Sequence, residues 1–366
     1  MQMSLKWLTE NVFPFWIQKG IDSKNGSFVE SISLDGEPQS SPRRALVQAR
    51  QIYSFVEAYK LNMIDLDTVS AIVEKAVGSL IKFYENPRGA YIHSVDVSGQ
   101  PANQDLDLYT QAFVLFGLAQ AYDILRKEEI KHEALKVLKY LNAERKLPAG
   151  GFSEIKNNEK MYHSNPHMHL FEAALVWTKV DDDPRWHALT LELCDLCLNK
   201  FIDPVTGFLA EHFDEQWNPL RENGNFIFEP GHHFEWAWLL LQYEEVTGLK
   251  LMEQSQKLFD LAEKFGVSPD RTLAYDEVWS DGQPKKTSSR FWPQCERIKA
   301  ATDLGQTAVA DEAMQSLFKN FIIFEKGMWR DTKLASGEFD SQPVKASSLY
   351  HIINAISVYV GTNSKD

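Results

Sequence analysis

The stretch Glu229–Trp238, EPGHHFEWAW, places two adjacent histidines and a glutamate where a helix is predicted to begin. His232 and Glu235 are three residues apart, so they share one face of that helix. His233 points about 100° away from that face. An imidazole and a carboxylate on one face favour either metal binding or proton transfer, and His233 is expected to be a wall or packing residue.

The pair His169 and Glu172 repeats this spacing elsewhere in the chain. Di-metal carboxylate bundles use a Glu-x-x-His spacing, but here the order is reversed and no His-Glu-x-x-His motif accompanies it. A glutamate bonded to one ring nitrogen fixes the tautomer of a histidine and stabilises its protonated form. We therefore predict proton transfer without a metal ion or other cofactor, with Glu235 as the residue that orients His232.

His232 is expected to begin its work as the neutral base. It lies at the first turn of its helix, where the positive end of the macrodipole acts against protonation of an imidazole.

Apolar residues recur at helical spacing along most of the chain and predict twelve helices. Their expected ranges are 4–19, 42–61, 66–85, 105–126, 128–143, 166–179, 183–201, 232–248, 250–265, 289–303, 307–323 and 345–360. Pro14 lies inside the first and is expected to kink it.

Short and long connectors alternate between these helices, which groups them into six hairpin pairs. The even-numbered helices begin 56 to 66 residues apart, and several of the long loops that precede them show the alternation of β-hairpins. A sixfold helix-pair period predicts an all-α (α/α)6 barrel over residues 1–366 as one domain, with an open helical solenoid as the alternative. In such a barrel the even helices line the interior.

Polar side chains that do not suit an apolar face collect at the starts of the even helices. They are Arg44, Gln48, Arg50, Asp105, Tyr109, Gln111, Asn165, His169, Glu172, His232, Glu235, Arg290, Trp292, Gln294, Glu296, Lys345 and His351. If the inner helices all start at one rim, these side chains face one cavity. Several histidines and arginines beside aromatic residues, without an obvious Ser or Cys nucleophile, indicate acid–base chemistry on a neutral polyol.

The composition restricts the partners of the chain. Its formal charge is −13, whereas a nucleic-acid or anionic membrane surface requires a basic patch. No apolar run reaches the roughly 18 residues of a membrane span. The N-terminal residues include acidic and aromatic side chains where a signal peptide would have an apolar stretch, and the three cysteines cannot all pair, so we expect a cytosolic protein.

Five segments resemble, in order and over about residues 1–360, the successive motifs of the N-acylglucosamine 2-epimerase superfamily. They are QARQIYSF, NPHMHLFEA, EPGHHFEWAWLL, FWPQCERIKA and SLYHIINA. The resemblance implies the (α/α)6 barrel and isomerisation of an aldose at C1 and C2 without a redox cofactor. A histidine would remove the C2 proton, and a cis-enediolate would follow.

The resemblance also implies roles for individual residues. His351 matches the acid/base histidine of the last inner helix, and His232 matches the histidine assigned to ring opening or to the second acid/base. Glu235 matches the orienting glutamate, and Arg50 matches the arginine that holds the oxygen on which charge develops. The positions expected to bind substrate are Arg50, Tyr109, Asn165, His169, Glu172, Trp292, Gln294 and Glu296. Some members have a nucleotide effector, but no Gly-rich phosphate loop is present here.

The motif spellings are most similar to the mannose isomerase branch, so reversible D-mannose to D-fructose isomerisation is the favoured activity. An isomerase needs one base and an epimerase needs two, and both histidines are present, so mannose/glucose or N-acylglucosamine 2-epimerisation stays open. A glycoside hydrolase or lyase would use paired carboxylates and leave the histidines unexplained. A non-catalytic sugar-binding protein would not need poised imidazoles. The oligomeric state, monomer or homodimer, is left open.

Overall fold

The computed structural model describes residues 2–156 and 159–363, and within these ranges it contains the twelve predicted helices. Their bounds are α1 Gln2–Trp7, Leu8–Val12 (π-helical) and Phe13–Lys19, α2 Ala45–Lys60, α3 Leu66–Tyr84, α4 Leu108–Leu125, α5 Glu128–Glu144, α6 Ser164–Val180, α7 Pro184–Leu196 continued by the π-helical Cys197–Phe201, α8 Pro230–Thr247, α9 Met252–Phe265, α10 Phe291–Asp303, α11 Thr307–Asn320 and α12 Leu349–Asn363. The π-helical turn of α1 directly precedes Pro14, so the helix adapts to proline by widening one turn without ending.

The even helices close a ring. Each packs against the next, α2 on α4, α4 on α6, α6 on α8, α8 on α10, α10 on α12, and α12 returns to α2. An open solenoid would lack that last contact, so the (α/α)6 barrel is confirmed.

Burial distinguishes the two rings of helices. The inner helix α2 is buried without a break from Ala45 to Val56. The outer helix α3 buries a stripe that includes Val69, Val73 and Leu80 at helical spacing. An inner helix touches neighbours on all sides, whereas an outer helix has one apolar face toward the ring and one polar face toward solvent. Within the described residues no helix is long and apolar enough to cross a membrane.

Short antiparallel strands in the long loops link neighbouring repeats at one rim. Their bounds are β1 Ser31–Ile32, β2 Arg43–Arg44, β3 Ser94–Val95, β4 Pro101–Asn103, β5 Glu154–Lys156, β6 Glu159–His163, β7 His212–Phe213, β8 Ile227–Phe228, β9 Glu277–Trp279, β10 Pro284–Lys286, β11 Ser289–Arg290, β12 Ile322–Ile323, β13 Met328–Trp329, β14 Thr332–Lys333 and β15 Val344–Lys345. The strand before an inner helix pairs with the following long loop in β2–β3, β6–β7, β8–β9, β11–β14 and β15–β1. Between the loops before α4 and α6, the carboxylate of Glu154 makes the link by accepting from Leu108 N at 2.9 Å.

This pairing corrects three predicted helix starts. Helices α2, α10 and α12 begin three, two and four residues later than the periodicity indicated, at 45, 291 and 349. Strand residues come directly before α2 and α10, and a strand followed by the 3-10 turn Ala346–Ser348 comes before α12. The apolar pattern of such short elements is too short to separate from the helix that follows.

A repeated hydrogen bond fastens the hairpin to the inner helix in five of the repeats within the described residues. Gln48 accepts from Phe28 N and donates to its carbonyl oxygen, at 2.7 and 2.9 Å. We call this contact between an inner-helix side chain and the backbone of a hairpin residue the bracket. The same bracket joins Gln111 to Tyr91, and Gln294 to Ala274. In two further repeats a histidine replaces the glutamine, with His167 Nε2 accepting from Phe152 N and His233 Nε2 accepting from Leu209 N, at 3.0 and 3.1 Å.

A polar side chain lies two residues after each hairpin residue that is bonded in this way, next to the start of an inner helix. These side chains are Glu30, His93, Glu154, Glu211 and Asp276. Glu30 accepts from Arg44 N, Glu211 from Glu229 N, and Asp276 from Arg290 N, at 2.9, 3.1 and 3.0 Å. Four carboxylates, those of Glu30, Glu154, Glu211 and Asp276, therefore act as acceptors at the rim where the inner helices begin, whereas His93 bonds the carboxylate of Asp107 at 2.9 Å.

We predict that Gln111→Leu destabilises the protein, because it leaves the buried N–H and C=O of Tyr91 unpaired at a cost of about 1–3 kcal/mol each. Denaturant titration followed by circular dichroism measures this loss. Gln100→Leu, in the exposed tip of the same loop, is the control. Equal stability of the two variants would show that the bracket does not hold the hairpin.

Candidate active site

A cavity of about 100 Å³ lies on the barrel axis, at the rim where the inner helices begin. Its lining residues are Arg50, Tyr109, Asn165, His169, Glu229, His232, Glu235, Arg290, Trp292 and His351. Eight of the eleven predicted site residues are therefore brought together, and Glu172, Gln294 and Glu296 are not among those that line the cavity.

His351, in the first turn of α12, is held in place through its Nδ1 atom. Its Nδ1 lies 2.7 Å from Glu296 Oε1, and Glu296 Oε2 lies 2.6 Å from the Nζ of the fully buried Lys299. Burial, assisted by the positive charges of Arg50 and Lys299, lowers the pKa of His351 to about 4 although Glu296 acts in the opposite direction. His351 is thus neutral at pH 7, with Nδ1–H donated to Glu296 and Nε2 without a proton.

His232, on α8, has a different carboxylate partner from the one expected. Its Nδ1 lies 2.9 Å from Glu211 Oε2 in the preceding loop, and 4.0 Å from Glu229. The prediction that Glu235 orients His232 by a hydrogen bond is therefore wrong. Glu235 lines the cavity and makes no hydrogen bond to His232.

The expected charge of His232 is also wrong. Burial lowers the pKa of this imidazole, but the carboxylates of Glu211 and Glu229 outweigh it and raise the pKa to about 9. The negative charges of these two carboxylates outweigh the effect of the helix macrodipole on the pKa of His232. At pH 7 His232 carries a positive charge.

The floor of the cavity is formed by Glu235 and His169, and Glu172 lies behind them. His169 Nδ1 lies 3.4 Å from Glu172 Oε2 and 3.7 Å from Glu235 Oε1. Both carboxylate oxygens of Glu235 are buried without a hydrogen-bond partner among the described residues. Burial and the charge of Glu296 raise the pKa of Glu235 well above its ordinary value, which favours the neutral acid.

Glu172 lies behind the cavity wall. It accepts a hydrogen bond from the Tyr350 hydroxyl, and burial raises its pKa to about 7. The expectation that it contacts substrate is corrected: His169 separates it from the cavity. Burial and the nearby positive charge of Arg50 lower the pKa of His169, so this imidazole is neutral at pH 7.

Arg50 is the cation of the cavity that has no carboxylate partner within the described ranges. Its guanidinium donates to Tyr109 Oη at 2.9 Å and lies 4.1 Å from the centre of the Phe113 ring. Trp292 lies between the two paired histidines, with ring-centre distances of 5.0 Å to His232 and 5.7 Å to His351.

Two further predictions about α10 are corrected. The amide of Gln294 bonds the backbone of Ala274, so Gln294 fastens a hairpin instead of lining the cavity. Glu296 lies beneath His351 and holds it, without lining the cavity itself.

Two site residues, Glu229 and Glu211, were missed from the sequence, and Arg290 was expected at the cavity without a role. Glu229 and Arg290 line the cavity and form an ion pair of 2.6 Å, and Glu211 holds His232 from behind. Glu211 could have been found from the sequence, because an acidic residue recurs two positions after the hairpin residue that is bonded to the inner helix.

Two clusters have the residue types and spacing of a metal site, with ligand atoms within 4.8 Å of one another. They are His169, Glu172 and Glu235, and Glu211, Glu229 and His232. In the second, Nδ1 of His232 is already bonded to Glu211 and Glu229 is paired with Arg290. In the first, Lys299 and Arg50 lie close enough to influence the ionisable groups, which disfavours an added cation. The absence of a metal stays a prediction.

Residues 26–355 match the N-acylglucosamine 2-epimerase (GlcNAc 2-epimerase) family. A protein of Rhizobium meliloti (strain 1021) named mannose-6-phosphate isomerase is 36% identical over 368 residues, which cover 96% of this chain and 94% of the relative. The chain belongs to the N-acylglucosamine 2-epimerase family.

Other relatives in this family fit the same conclusion. A cellobiose 2-epimerase of Bacteroides fragilis is 24% identical and covers 80% of this chain and 79% of its own. A crystal structure of D-mannose isomerase, 20% identical, superposes with a TM-score of 0.89 over 99% of this chain and 98% of that one, and so shares the fold. Membership of the N-acylglucosamine 2-epimerase family and the names of these relatives make the protein a sugar isomerase or epimerase.

The two imidazoles should carry different charges at pH 7, His232 positive and His351 neutral. Nitrogen-15 NMR of histidine-labelled protein measures this. We expect Glu211→Gln to lower the pKa of His232 by at least about one unit, because it removes an adjacent negative charge. Glu222→Gln, an exposed position in the same long loop, should leave the titration unchanged; a similar shift in both variants would contradict the assignment of Glu211.

Proposed function

We propose that this protein interconverts D-mannose and D-fructose by proton transfer, with His351 as the base and His232 as the acid. The observation that carries the proposal is that two imidazoles line one cavity, each bonded through Nδ1 to a buried carboxylate, in surroundings that raise the pKa of His232 and lower that of His351. Titratable groups whose environments push their pKa values apart have the properties required of a general base and a general acid. We also propose that the ring of twelve helices acts as one catalytic unit.

The reaction needs an open-chain sugar. His232, protonated at pH 7, donates its proton to the ring oxygen as the C1–O5 bond breaks, and the O1 hydroxyl proton then passes to His232, which opens the pyranose and restores the charge of the imidazole. Neutral His351 then takes the C2 proton through Nε2, and the electron pair of that bond forms the C1–C2 double bond of a cis-enediolate. Return of the proton to C1, with the O2 proton passing to O1, gives the ketose. No atom or electron is gained or lost.

Arg50 is placed to stabilise the enediolate oxygen. Its charge is not cancelled by a bonded carboxylate, and it lies in a water-poor setting over aromatic rings, where electrostatic stabilisation is strong. Substrate hydroxyls would be bound by the remaining cavity residues Tyr109, Asn165, His169, Glu229, Glu235, Arg290 and Trp292. A neutral Glu235 can donate a hydrogen bond as well as accept one.

The surroundings of the cavity favour an unphosphorylated sugar, although one relative is named for a phosphorylated one. A cavity of about 340 Å³ adjoins the site through Tyr109 and Asn165, and three carboxylates line it, Asp105, Asp107 and Glu154. Its arginine, Arg44, is paired with Glu30 at 2.6 Å. A phosphate there would meet more negative than positive charge.

A second candidate, 2-epimerisation, is favoured by one observation. His232 and His351 come from α8 and α12, which are separated in the ring by α10 and its Trp292. Two bases on different walls are able to reach opposite faces of C2, as inversion at that carbon requires.

Incubation with D-mannose in D2O and EDTA separates these activities. We expect D-fructose that carries deuterium wherever the proton on His351 has exchanged with solvent, and a much lower kcat/KM for mannose 6-phosphate. D-glucose without a fructose pool would establish epimerisation instead. No turnover of any aldose, or undiminished turnover by His351→Ala, would contradict the proposal.

A further inference from the structure

A second cavity lies on the barrel axis, beyond the floor of the active site. It has a volume of about 450 Å³ and is lined by later turns of the inner helices α2, α4, α6, α8 and α12. The two cavities share no lining residue, because a layer that contains Tyr53, Phe116, Glu172 and Trp238 lies between the first cavity and the second. A volume of this size is in the range of small-molecule sites.

Two buried polar atoms in its wall lack partners. Gln120 is 4% exposed, and its Oε1 accepts no hydrogen bond from the described residues. The indole Nε1 of Trp238 is likewise buried and donates to none of them. Buried polar groups are nearly always satisfied, so an acceptor and a donor left open in one cavity point to a bound molecule that supplies both.

The chemistry of the wall restricts what that molecule is. The lysines of the cavity are paired, Lys60 with Asp123 at 3.1 Å and Lys179 with Glu245 at 3.4 Å. The inner helices present their C-terminal ends on this side, and the negative end of the macrodipole disfavours an anion. Trp238 and Phe116 add aromatic surface. A neutral molecule with hydroxyl groups, each both donor and acceptor, fits this combination.

We propose that this second cavity is a binding site for a small neutral polyhydroxy compound, separate from the catalytic pocket, with Gln120 and Trp238 as its polar contacts.

The wall of this site contacts the residues behind two histidines of the active site, His351 and His169. The Nζ of Lys299 lies 3.9 Å from the centre of the Trp238 ring, and Lys299 is the ion-pair partner of Glu296, which bonds His351. Glu172 lines the cavity on one side and meets His169 on the other. A ligand that bonds Trp238 is therefore connected to the base His351 through two residues, Lys299 and Glu296.

Fluorine-19 NMR of the full chain labelled with 5-fluorotryptophan tests the site with D-mannitol, which has hydroxyl groups but no carbonyl to isomerise. Trp238→Phe and Trp292→Phe assign the resonances of the second cavity and the catalytic pocket. We expect the Trp238 resonance to shift saturably, with a midpoint different from that of Trp292. Gln120→Leu should weaken the Trp238 response about tenfold, the effect of one lost hydrogen bond, and leave the Trp292 response unchanged.

Controls make each outcome decisive. Gln120→Met, closer in shape to glutamine, is measured in parallel so that a folding defect in one variant does not remove the test. Gln256→Leu, on the outer helix α9, should alter neither response. A linear Trp238 response, one whose midpoint equals that of Trp292, or one that survives both Gln120 variants would overturn the proposal, since water alone would then occupy the cavity. None of these results bears on turnover of mannose.

Discussion

The active site depends on one kind of contact, a buried carboxylate bonded to the Nδ1 atom of a histidine. Glu296 makes it to His351 and Glu211 makes it to His232, with nearly equal distances of 2.7 and 2.9 Å. The same contact gives opposite results because the two carboxylates have different neighbours. Lys299 neutralises much of the charge that Glu296 offers, whereas Glu229 adds to that of Glu211. Together with the positive charge of Arg50 near His351, these neighbours decide which imidazole is the base and which the acid.

The barrel supplies these neighbours by repetition. Counting two residues onward from each bracket residue gives Arg50, Phe113, His169, Glu235 and Glu296, a layer around the axis. Counting five onward gives the next layer, Tyr53, Phe116, Glu172, Trp238 and Lys299. The bracket residue has a structural role in five of the repeats within the described residues. The side chains near the active site come from the positions beside it. This explains why His233 and His232 differ: the first fastens a hairpin, and the second meets the cavity.

The periodicity of the sequence was sufficient to predict the six helix pairs and the rim at which the polar side chains meet, because both follow from local spacing. Ring closure required the contact of α12 with α2, which no local pattern contains. The partner of His232 was mispredicted for a related reason. Glu235 is near in sequence and on one face of the same helix, but Glu211 approaches from a loop 21 residues away. The charge of His232 depends on that loop, so the helix macrodipole alone does not predict that the pKa of this histidine is raised.

The pH dependence of kcat/KM for the sugar is the most direct test of an acid that is protonated and a base that is neutral at the same pH. His351 must be neutral, so kcat/KM should rise as pH passes about 4. His232 must be protonated, so kcat/KM should fall as pH passes about 9. Glu211→Gln should move only the alkaline limb, and to lower pH. An unmoved alkaline limb, or a profile in which activity increases above pH 9, would contradict the account.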